Sequence, residues 1–223
     1  MKFATDFSPA RAALLVVDMQ NAYCHPAGAL AQAGANVNPM QAVIPNVKEL
    51  IRICRHAGIP VMWTIMEQYA EDARRRSRTV PAHLQERRSL PLSLKGSWDA
   101  EIVEELRGEV AQADHIIRKQ EYSAFYNTNL ELLLRILDVR YLLISGVASN
   151  VCVESTVRDA FFRGFEVVLV ENAIACSFPD LHEATLKNTR LWFGSIITLE
   201  ELSACLAPLQ VLPATGTAHH DVR

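Results

Sequence analysis

Short apolar runs alternate along this chain with longer stretches in which apolar residues recur at helical spacing. Residues 12–18, "AALLVVD", and 141–147, "YLLISGV", are nearly continuous apolar runs. Such runs are typical of parallel strands that are covered on both faces. The further runs that predict strands are "IPVMWTIM" at 59–66, "DHIIRK" at 114–119, "EVVLVEN" at 166–172 and "SIITL" at 195–199.

Amphipathic stretches separate these runs and predict helices. The predicted helices cover 38–58, 97–107, 127–139, 151–165 and 180–194, with a short closing helix after the last strand. In the first of them the apolar residues Val43, Val47, Leu50, Ile51 and Cys54 share one face, and Gly58 is placed to end the helix. Six strands alternating with helices predict an α/β fold with a six-stranded parallel sheet and helices on both faces. Ligands of such folds bind beyond the carboxyl ends of the strands.

The length of 223 residues fits one domain with a full apolar core, so we expect residues 1–223 to form a single domain. Residues 67–96 interrupt the alternation after the second strand. Long excursions of this kind are usually lids or binding loops. The segment 206–223 is rich in Pro, Thr and Ala, and we expect a loose C-terminal tail there.

Composition and charge narrow the class of protein. Half of the residues are apolar and 21% are charged, as in ordinary globular proteins. A net charge of −3 gives no general attraction to nucleic acid or to anionic membranes. No apolar run approaches the roughly 20 residues that span a bilayer, and the N-terminus lacks the layout of a signal peptide. We therefore expect a small-molecule partner, with no nucleic acid and no membrane.

The cysteines and histidines indicate reduced thiols and no metal. The five cysteines are widely spaced and form no CxxC pair, which favours a cytoplasmic location over a disulfide framework or a zinc site. The seven histidines form neither HxH nor HExxH, and GxSxG, GxGxxG and P-loop motifs are missing. We predict no metal and no cofactor. The basic run "ARRRSR" at 73–78 is interpreted either as a solvated face or as a patch that steers an anionic substrate.

Three chemically useful residues follow strands of the predicted sheet. Asp18 ends the first strand, Lys119 ends the third, and Cys152 lies in the first turn of the helix after the fourth. Each alone has an ordinary role, as a cap, a solvated cation or a packing residue. Together they form a candidate nucleophilic site, because a helix N-terminus and an ammonium lower the pKa of a thiol and a carboxylate can take its proton.

Three segments carry a resemblance to a known family: "LLVVDMQNAYC", "KQEYSAFYNTNLELLL" and "LISGVASNVCVESTVRDAFFRGFEVVLVENA". They resemble the isochorismatase-like cysteine hydrolases, and the similarity extends over about residues 11–203. The segments "KGSWDAEIVEEL" and "YSAFYNTNLELLL" are most similar to the branch that hydrolyses ureidoacrylate, with the biuret, triuret and N-carbamoylsarcosine hydrolases as relatives.

The resemblance implies a three-layer α/β/α fold, homodimers or homotetramers, and a catalytic triad of Asp18, Lys119 and Cys152. It also implies a cis peptide between Val147 and Ala148. The backbone N–H groups of Ala148 and Cys152 would then point at the substrate oxygen and form an oxyanion hole. Nicotinamidases in this superfamily carry a metal site with histidines near the second strand. Here "WTIMEQYAED" has no histidine, which disfavours both a metal and nicotinamidase activity.

The predicted function is hydrolysis of a small linear amide or ureido compound by a cysteine-dependent amidohydrolase, with release of ammonia through a thioester. True isochorismatases cleave a vinyl ether without a cysteine nucleophile, so Cys152 favours amide chemistry. The candidate substrate-binding residues are Tyr23, Glu67, Gln68, Tyr122, Phe125 and Asn127. Phe125 and Asn127 are equally consistent with a hydrophobic staple and a cap for the following helix.

Three alternatives stay open at this point. The first is a vinyl-ether or ester hydrolase that uses Asp18 as its acid, and the second is a non-catalytic protein that binds a metabolite. The third is a redox switch in which Cys24 or Cys176 resolves a disulfide with Cys152. We do not predict the identity of the substrate, because the shape of the pocket depends on residues 67–96 and the sequence does not predict their path.

Overall fold

The computed structural model describes residues 7–71 and 92–207. The predicted lid or insert at 67–96 therefore lies outside the described residues from 72 to 91. The predicted loose tail lies outside them from residue 208 onward. Within 7–71 and 92–207, no helix combines the length and the apolar composition that crossing a bilayer requires.

Six parallel strands form one sheet in the order β3-β2-β1-β4-β5-β6. The strands are β1 (Ala12–Val17), β2 (Val61–Met66), β3 (His115–Lys119), β4 (Tyr141–Val147), β5 (Glu166–Ala175) and β6 (Gly194–Ile197). The chain builds outward from β1 to β3 and then returns to add β4 to β6 on the other side. The switch in direction leaves a crevice beyond the carboxyl ends of β1 and β4, which is where ligands of such sheets bind.

Helices connect the strands and cover both faces of the sheet. They are α1 (Asn21–Cys24), α2 (Ala29–Gln32), α3 (Asn38–Ala42), α4 (Ile44–His56), α5 (Glu104–Arg107), α6 (Leu130–Ile136), α7 (Glu154–Phe162), α8 (Pro179–Asn188) and α9 (Leu199–Leu206). A π-helical turn, Ser149–Val153, leads into α7, and a second one, Thr189–Phe193, follows α8.

Two apolar cores lie on opposite faces of the sheet. Successive residues of β1 alternate between them, so that Leu14 faces one core and Leu15 the other. The first core is closed by α4 and α9, and the second by α6 and α7. The predicted α/β fold with a six-stranded parallel sheet between two helical layers is confirmed.

The predicted helix over 97–107 is wrong. The structure has a short 3-10 turn at Trp98–Ala100 and then α5, with extended backbone between them. The Asn21 N–H donates to the Glu101 carbonyl at 2.9 Å, and the Val103 N–H donates to the Met19 carbonyl at 3.0 Å. These bonds to the chain after β1 replace the intrahelical bonds that the local pattern favours.

The predicted helices over 38–58 and 151–165 are each divided in the structure. The first consists of α3 and α4, with Pro45 in the first turn of α4, where a proline is well tolerated. Val47, Leu50, Ile51 and Cys54 are buried as predicted. The second begins with the π-helical turn that contains Cys152, and α7 continues from it.

Gly146 allows β1 and β4 to approach each other closely. The close approach lies just before the site residues along both strands. Its φ is +107°, and a Cβ added there would lie 2.1 Å from the carbonyl oxygen of Val17. A side chain at this position would therefore collide with backbone, which cannot move aside as a flexible side chain can. The close contact of the two strands depends on a glycine here.

We expect Gly146→Ala to lower the free energy of unfolding by about 3 kcal/mol or more, because the added methyl overlaps Val17 and φ is unfavourable. Gly108→Ala is the matched control, since nothing lies within 4 Å of the Cβ it would add. Urea unfolding followed by circular dichroism measures both. Equal midpoints for the two variants would contradict this role of Gly146.

Candidate active site

Asp18, Lys119 and Cys152 meet beyond the carboxyl ends of the strands. The Lys119 Nζ lies 2.7 Å from the Asp18 Oδ2. Both of these side chains act on the Cys152 thiol, Lys119 lowering its pKa and Asp18 raising it. Their relative exposures are 1% for Asp18, 0% for Lys119 and 7% for Cys152, so the three groups share a site that is nearly closed to water.

The ammonium of Lys119 has three acceptors around it, although β3 lies two strands away from β1. Besides the Asp18 carboxylate, its Nζ donates to the carbonyls of Glu121 and Tyr122, each at 3.2 Å. A buried ammonium has three protons to place. Two of them go to the carbonyls, and the Asp18 carboxylate balances the charge as an ion pair.

Asp18 is held in an uncommon conformation by Thr64 of β2. Its φ is +48°, and its N–H donates to the Thr64 Oγ1 at 3.1 Å. The same hydroxyl donates to the Asp18 Oδ1 at 2.6 Å. One oxygen of the carboxylate is thereby bound to Thr64, and the other faces Lys119.

The turn that carries Cys152 is fixed at both ends. The Val147–Ala148 peptide is cis, the conformation that the family resemblance implies there. The Ala148 carbonyl accepts hydrogen bonds from the N–H groups of Val151 at 3.0 Å and Val153 at 3.2 Å. The Thr156 hydroxyl donates to the Cys152 carbonyl at 2.7 Å and accepts from the Ala124 N–H at 3.0 Å. Through Thr156, these bonds connect the backbone of Cys152 to the loop that follows β3.

The ammonium acts on the pKa of the Cys152 thiol in the expected direction, but burial outweighs it. Burial raises the pKa of Cys152 to about 12; the charge of Lys119 acts to lower it, and that of Asp18 acts to raise it. Burial alone would lower the pKa of Lys119, but the charge of the Asp18 carboxylate acts in the opposite direction, and the pKa of Lys119 is raised. Burial therefore favours the protonated thiol in this site, and the charge of Lys119 opposes it.

A cavity of about 190 Å³ opens onto Asp18 and Cys152. Of the predicted substrate-binding residues, Tyr23, Gln68 and Tyr122 line it, and so does Ala148. Its remaining walls are Leu30, Met66, Leu92, Gln120, Glu121, Val147 and Val151. The volume suits a small molecule, and the mixture of apolar walls with amide, phenol and carboxyl groups suits one that carries polar groups.

The other three predicted substrate-binding residues lie outside the walls of this cavity. Glu67 is buried, and its Oε1 accepts from the Arg118 Nη1 at 3.1 Å. Phe125 packs in the core, where its ring stacks on Phe165 at 5.8 Å. Asn127 is exposed in a left-handed backbone conformation, with φ +53°.

The staple and cap alternative for Phe125 and Asn127 is also wrong. The residue at the N-cap of α6 is Asn129, which makes no side-chain capping bond. At that end of the helix, the Leu130 N–H instead donates a hydrogen bond to the Thr128 Oγ1, at 3.3 Å.

Several residues of the site were missed from the sequence. Gln120 and Glu121 directly follow Lys119, so their position offered a clue. Thr64 offered another, because it is a hydroxyl residue within an apolar strand. Leu30 offered none, since it reaches the cavity from a short helix that the pattern does not predict.

The described residues give no support to a metal site or a redox pair. Within 7–71 and 92–207, no group of three or more His, Cys, Asp and Glu side chains is arranged to hold a metal ion. All five cysteines are free thiols. Burial and the charge of Asp18 raise the pKa of Cys24, and the Cys176 thiol donates to the Phe178 carbonyl at 3.2 Å.

Comparison with known proteins places the chain in a family. Residues 12–201 match the isochorismatase domain. Ureidoacrylate amidohydrolase RutB of Enterobacter sp. (strain 638) is 38% identical over 216 residues, which cover 92% of this chain and 93% of that protein.

Solved structures agree with this match. A cysteine hydrolase from Pseudomonas syringae pv. phaseolicola superposes with a TM-score of 0.76 at 26% identity, covering 91% of this chain and 95% of that one. An isochorismatase family protein from Desulfovibrio vulgaris gives 0.75 at 28% identity, covering 88% and 98%. The chain belongs to the isochorismatase family.

We expect Asp18→Asn to make Cys152 more reactive toward iodoacetamide at pH 8, by about tenfold or more. The substitution removes a charge that raises the pKa of the thiol and leaves the Lys119 ammonium to stabilise the thiolate. Peptide mass spectrometry measures the rate, with the exposed Cys205 as the reference in the same molecule.

Asp114→Asn is the control, because it removes another buried carboxylate, one paired with Arg55. Its Cys152 is expected to react as slowly as that of the wild type. A slower reaction in Asp18→Asn than in the wild type would contradict the balance of charges described above.

Proposed function

We propose that this protein hydrolyses the C–N bond of a small linear amide or ureido compound and releases ammonia through a thioester on Cys152. It is a hydrolase that acts on carbon–nitrogen bonds other than peptide bonds. The observation that carries the proposal is the buried contact of the Cys152 thiol with the Asp18–Lys119 ion pair beside a small cavity. The similarity to a ureidoacrylate amidohydrolase supports the same chemistry.

Asp18 acts as the base in the first step. Because burial raises the pKa of Cys152 to about 12, the thiol must lose its proton as it attacks. That proton passes to Asp18, and the sulfur forms a bond to the substrate carbonyl carbon. The ammonium of Lys119 stays in place between the carboxyl and the sulfur and stabilises the negative charge as it moves from one to the other.

Backbone N–H groups stabilise the tetrahedral intermediate. In this proposal the N–H groups of Ala148 and Cys152 bind the oxygen that becomes negatively charged, and one such donor is typically worth about 3 kcal/mol. The C–N bond then breaks as Asp18 returns its proton to the leaving nitrogen. Ammonia departs, and the acyl group stays on sulfur as a thioester.

Water completes the cycle. Asp18 takes a proton from a water molecule, whose oxygen attacks the thioester carbon. The C–S bond breaks, and the sulfur recovers a proton from Asp18. A simple amide gives a carboxylic acid. A ureido compound cleaved at its terminal nitrogen gives a carbamate, which decomposes to carbon dioxide and an amine.

The setting of the enzyme is part of the proposal. We expect a cytoplasmic homodimer or homotetramer whose partner is a small molecule, with neither nucleic acid nor membrane. Phe162 and Trp192 support the oligomer, because they are 71% and 69% exposed, and large apolar side chains of this kind are commonly covered by another subunit. The net charge of −3 supports the lack of nucleic-acid and membrane partners, and the five free thiols support the cytoplasmic location.

The test is ammonia release from ureidoacrylate, biuret, triuret, N-carbamoyl amino acids, maleamate and nicotinamide. We expect the wild type to act on a linear amide or ureido compound and Cys152→Ala to lose at least about 1,000-fold in kcat/KM, because it lacks the nucleophile. Cys205→Ala, which removes an exposed thiol, is the control and should keep full activity.

Two outcomes would contradict the proposal. Full activity of Cys152→Ala would favour the vinyl-ether or ester chemistry with Asp18 as acid. A wild type that releases no ammonia from any of these compounds would favour the binding protein. Slow alkylation of the wild type does not separate the alternatives, because a buried neutral thiol reacts slowly in each of them.

A further inference from the structure

Thr64 is a buried hydroxyl residue with two hydrogen bonds to the same neighbour. It is 1% exposed and lies in β2, a strand whose other residues are apolar. Its oxygen accepts from the Asp18 N–H at 3.1 Å, and its hydroxyl proton goes to the Asp18 Oδ1 at 2.6 Å. A threonine hydroxyl has one proton, and in this arrangement Oδ1 accepts it.

We propose that Thr64 is a positioning residue that confines proton exchange by Asp18 to its Oδ2 atom. The inference rests on the proposed function, in which Asp18 is the base and then the acid. It adds that the two oxygens of this carboxylate have different roles: Oδ1 is an anchor and Oδ2 carries the proton.

The geometry separates the two oxygens. Oδ2 is the oxygen that lies 2.7 Å from the Lys119 Nζ, and the Cys152 thiol interacts with the same ammonium. A proton on Oδ1 would face the hydroxyl proton of Thr64, and relieving that clash would require the hydroxyl to rotate away. The proton of the Cys152 thiol therefore passes to Oδ2, and the proton of the Oδ2–H passes to the leaving nitrogen.

The backbone contact adds a second constraint. Asp18 has φ +48°, a conformation that non-glycine residues rarely adopt. The bond from its N–H to Thr64 holds the residue in that conformation. Thr64 thereby fixes both the backbone and the carboxylate of Asp18. An uncharged side chain thus determines which oxygen of the carboxylate exchanges the proton.

The charged and titratable groups around Asp18 are known, so an altered pH profile can be interpreted. Lys119 from β3 and Cys152 from the turn after β4 interact with it directly, and its charge acts on Cys24 of α1. The other titratable groups that line the same cavity are Tyr23, Glu121 and Tyr122. Replacing Thr64 changes none of these groups. A shift in the profile would then report the loss of the hydroxyl from the Asp18 carboxylate.

The test compares Thr64→Val, which has the same shape without the hydroxyl, with Thr64→Ser, which keeps it. We expect Thr64→Val to lower kcat/KM by about 10- to 100-fold, the usual range for a lost hydrogen bond to a charged group. The acid limb of its pH–rate profile should move to higher pH, because the ionised carboxylate loses a donor. Thr64→Ser should restore both properties.

Alkylation of Cys152 gives a readout that needs no substrate. In Thr64→Val the carboxylate loses its anchor and can turn away from the thiol, and a more distant carboxylate opposes the thiolate less. We therefore expect the rate with iodoacetamide at neutral pH to rise severalfold in Thr64→Val and to stay at the wild-type value in Thr64→Ser.

Thr185→Val is the matched control, because Thr185 is a buried threonine that donates to the Glu154 carboxylate at 2.6 Å outside the cavity. It should lose similar thermal stability and keep the wild-type pH profile and alkylation rate. Wild-type pH and alkylation behaviour in Thr64→Val, or a failure of Thr64→Ser to restore it, would overturn the inference. A wild type without amidase activity would overturn the proposed function, while the alkylation rates would still decide the role of Thr64.

Discussion

Asp18 and Lys119 form an ion pair from which water is almost completely excluded, with relative exposures of 1% and 0%. Removing an ion from water costs several kcal/mol, so each of these charges requires partners inside the protein. The carboxylate has Thr64 and the ammonium, and the ammonium has the carboxylate and two backbone carbonyls. These contacts join β1, β2 and β3 near the carboxyl edge of the sheet. Loss of either charge would leave the other buried and uncompensated, which is why the shape of the cavity depends on the pair.

The same pair determines the chemistry available to Cys152. Its two charges act on the thiol in opposite directions, and burial keeps the pKa high at about 12. A thiol with so high a pKa reacts slowly with electrophiles that the cavity does not bind. It becomes a nucleophile when a carbonyl group is held beside it and the carboxylate can take its proton. The site therefore does not need a preformed thiolate, and it gains selectivity for substrates that fit the cavity.

The sequence predicts the strands and the meeting of the three site residues well, because both depend on local pattern and on the topology of parallel sheets. Apolar runs define β1 and β4, and residues that follow parallel strands lie at one edge. The missed features depend on contacts between distant segments. The extended backbone before α5 is held by hydrogen bonds to the chain after β1. Phe125 packs in the core against Phe165. The pKa of the Cys152 thiol is set mainly by burial, which a local sequence pattern does not predict. Thr64 acquires its role only because β2 lies beside β1.

The central claim is that Asp18 transfers the Cys152 proton and so permits a covalent acyl intermediate. The most direct measurement is the mass of the protein quenched with acid during its first turnover, followed by mapping of the modified peptide. The account predicts that the wild type gains the mass of the acyl group on the peptide that contains Cys152, in step with a burst of ammonia. It predicts that Asp18→Asn, despite a more readily alkylated thiol, gains none on that timescale. Equal acylation of Cys152 in both proteins, or ammonia release with Cys152 unmodified throughout, would contradict it.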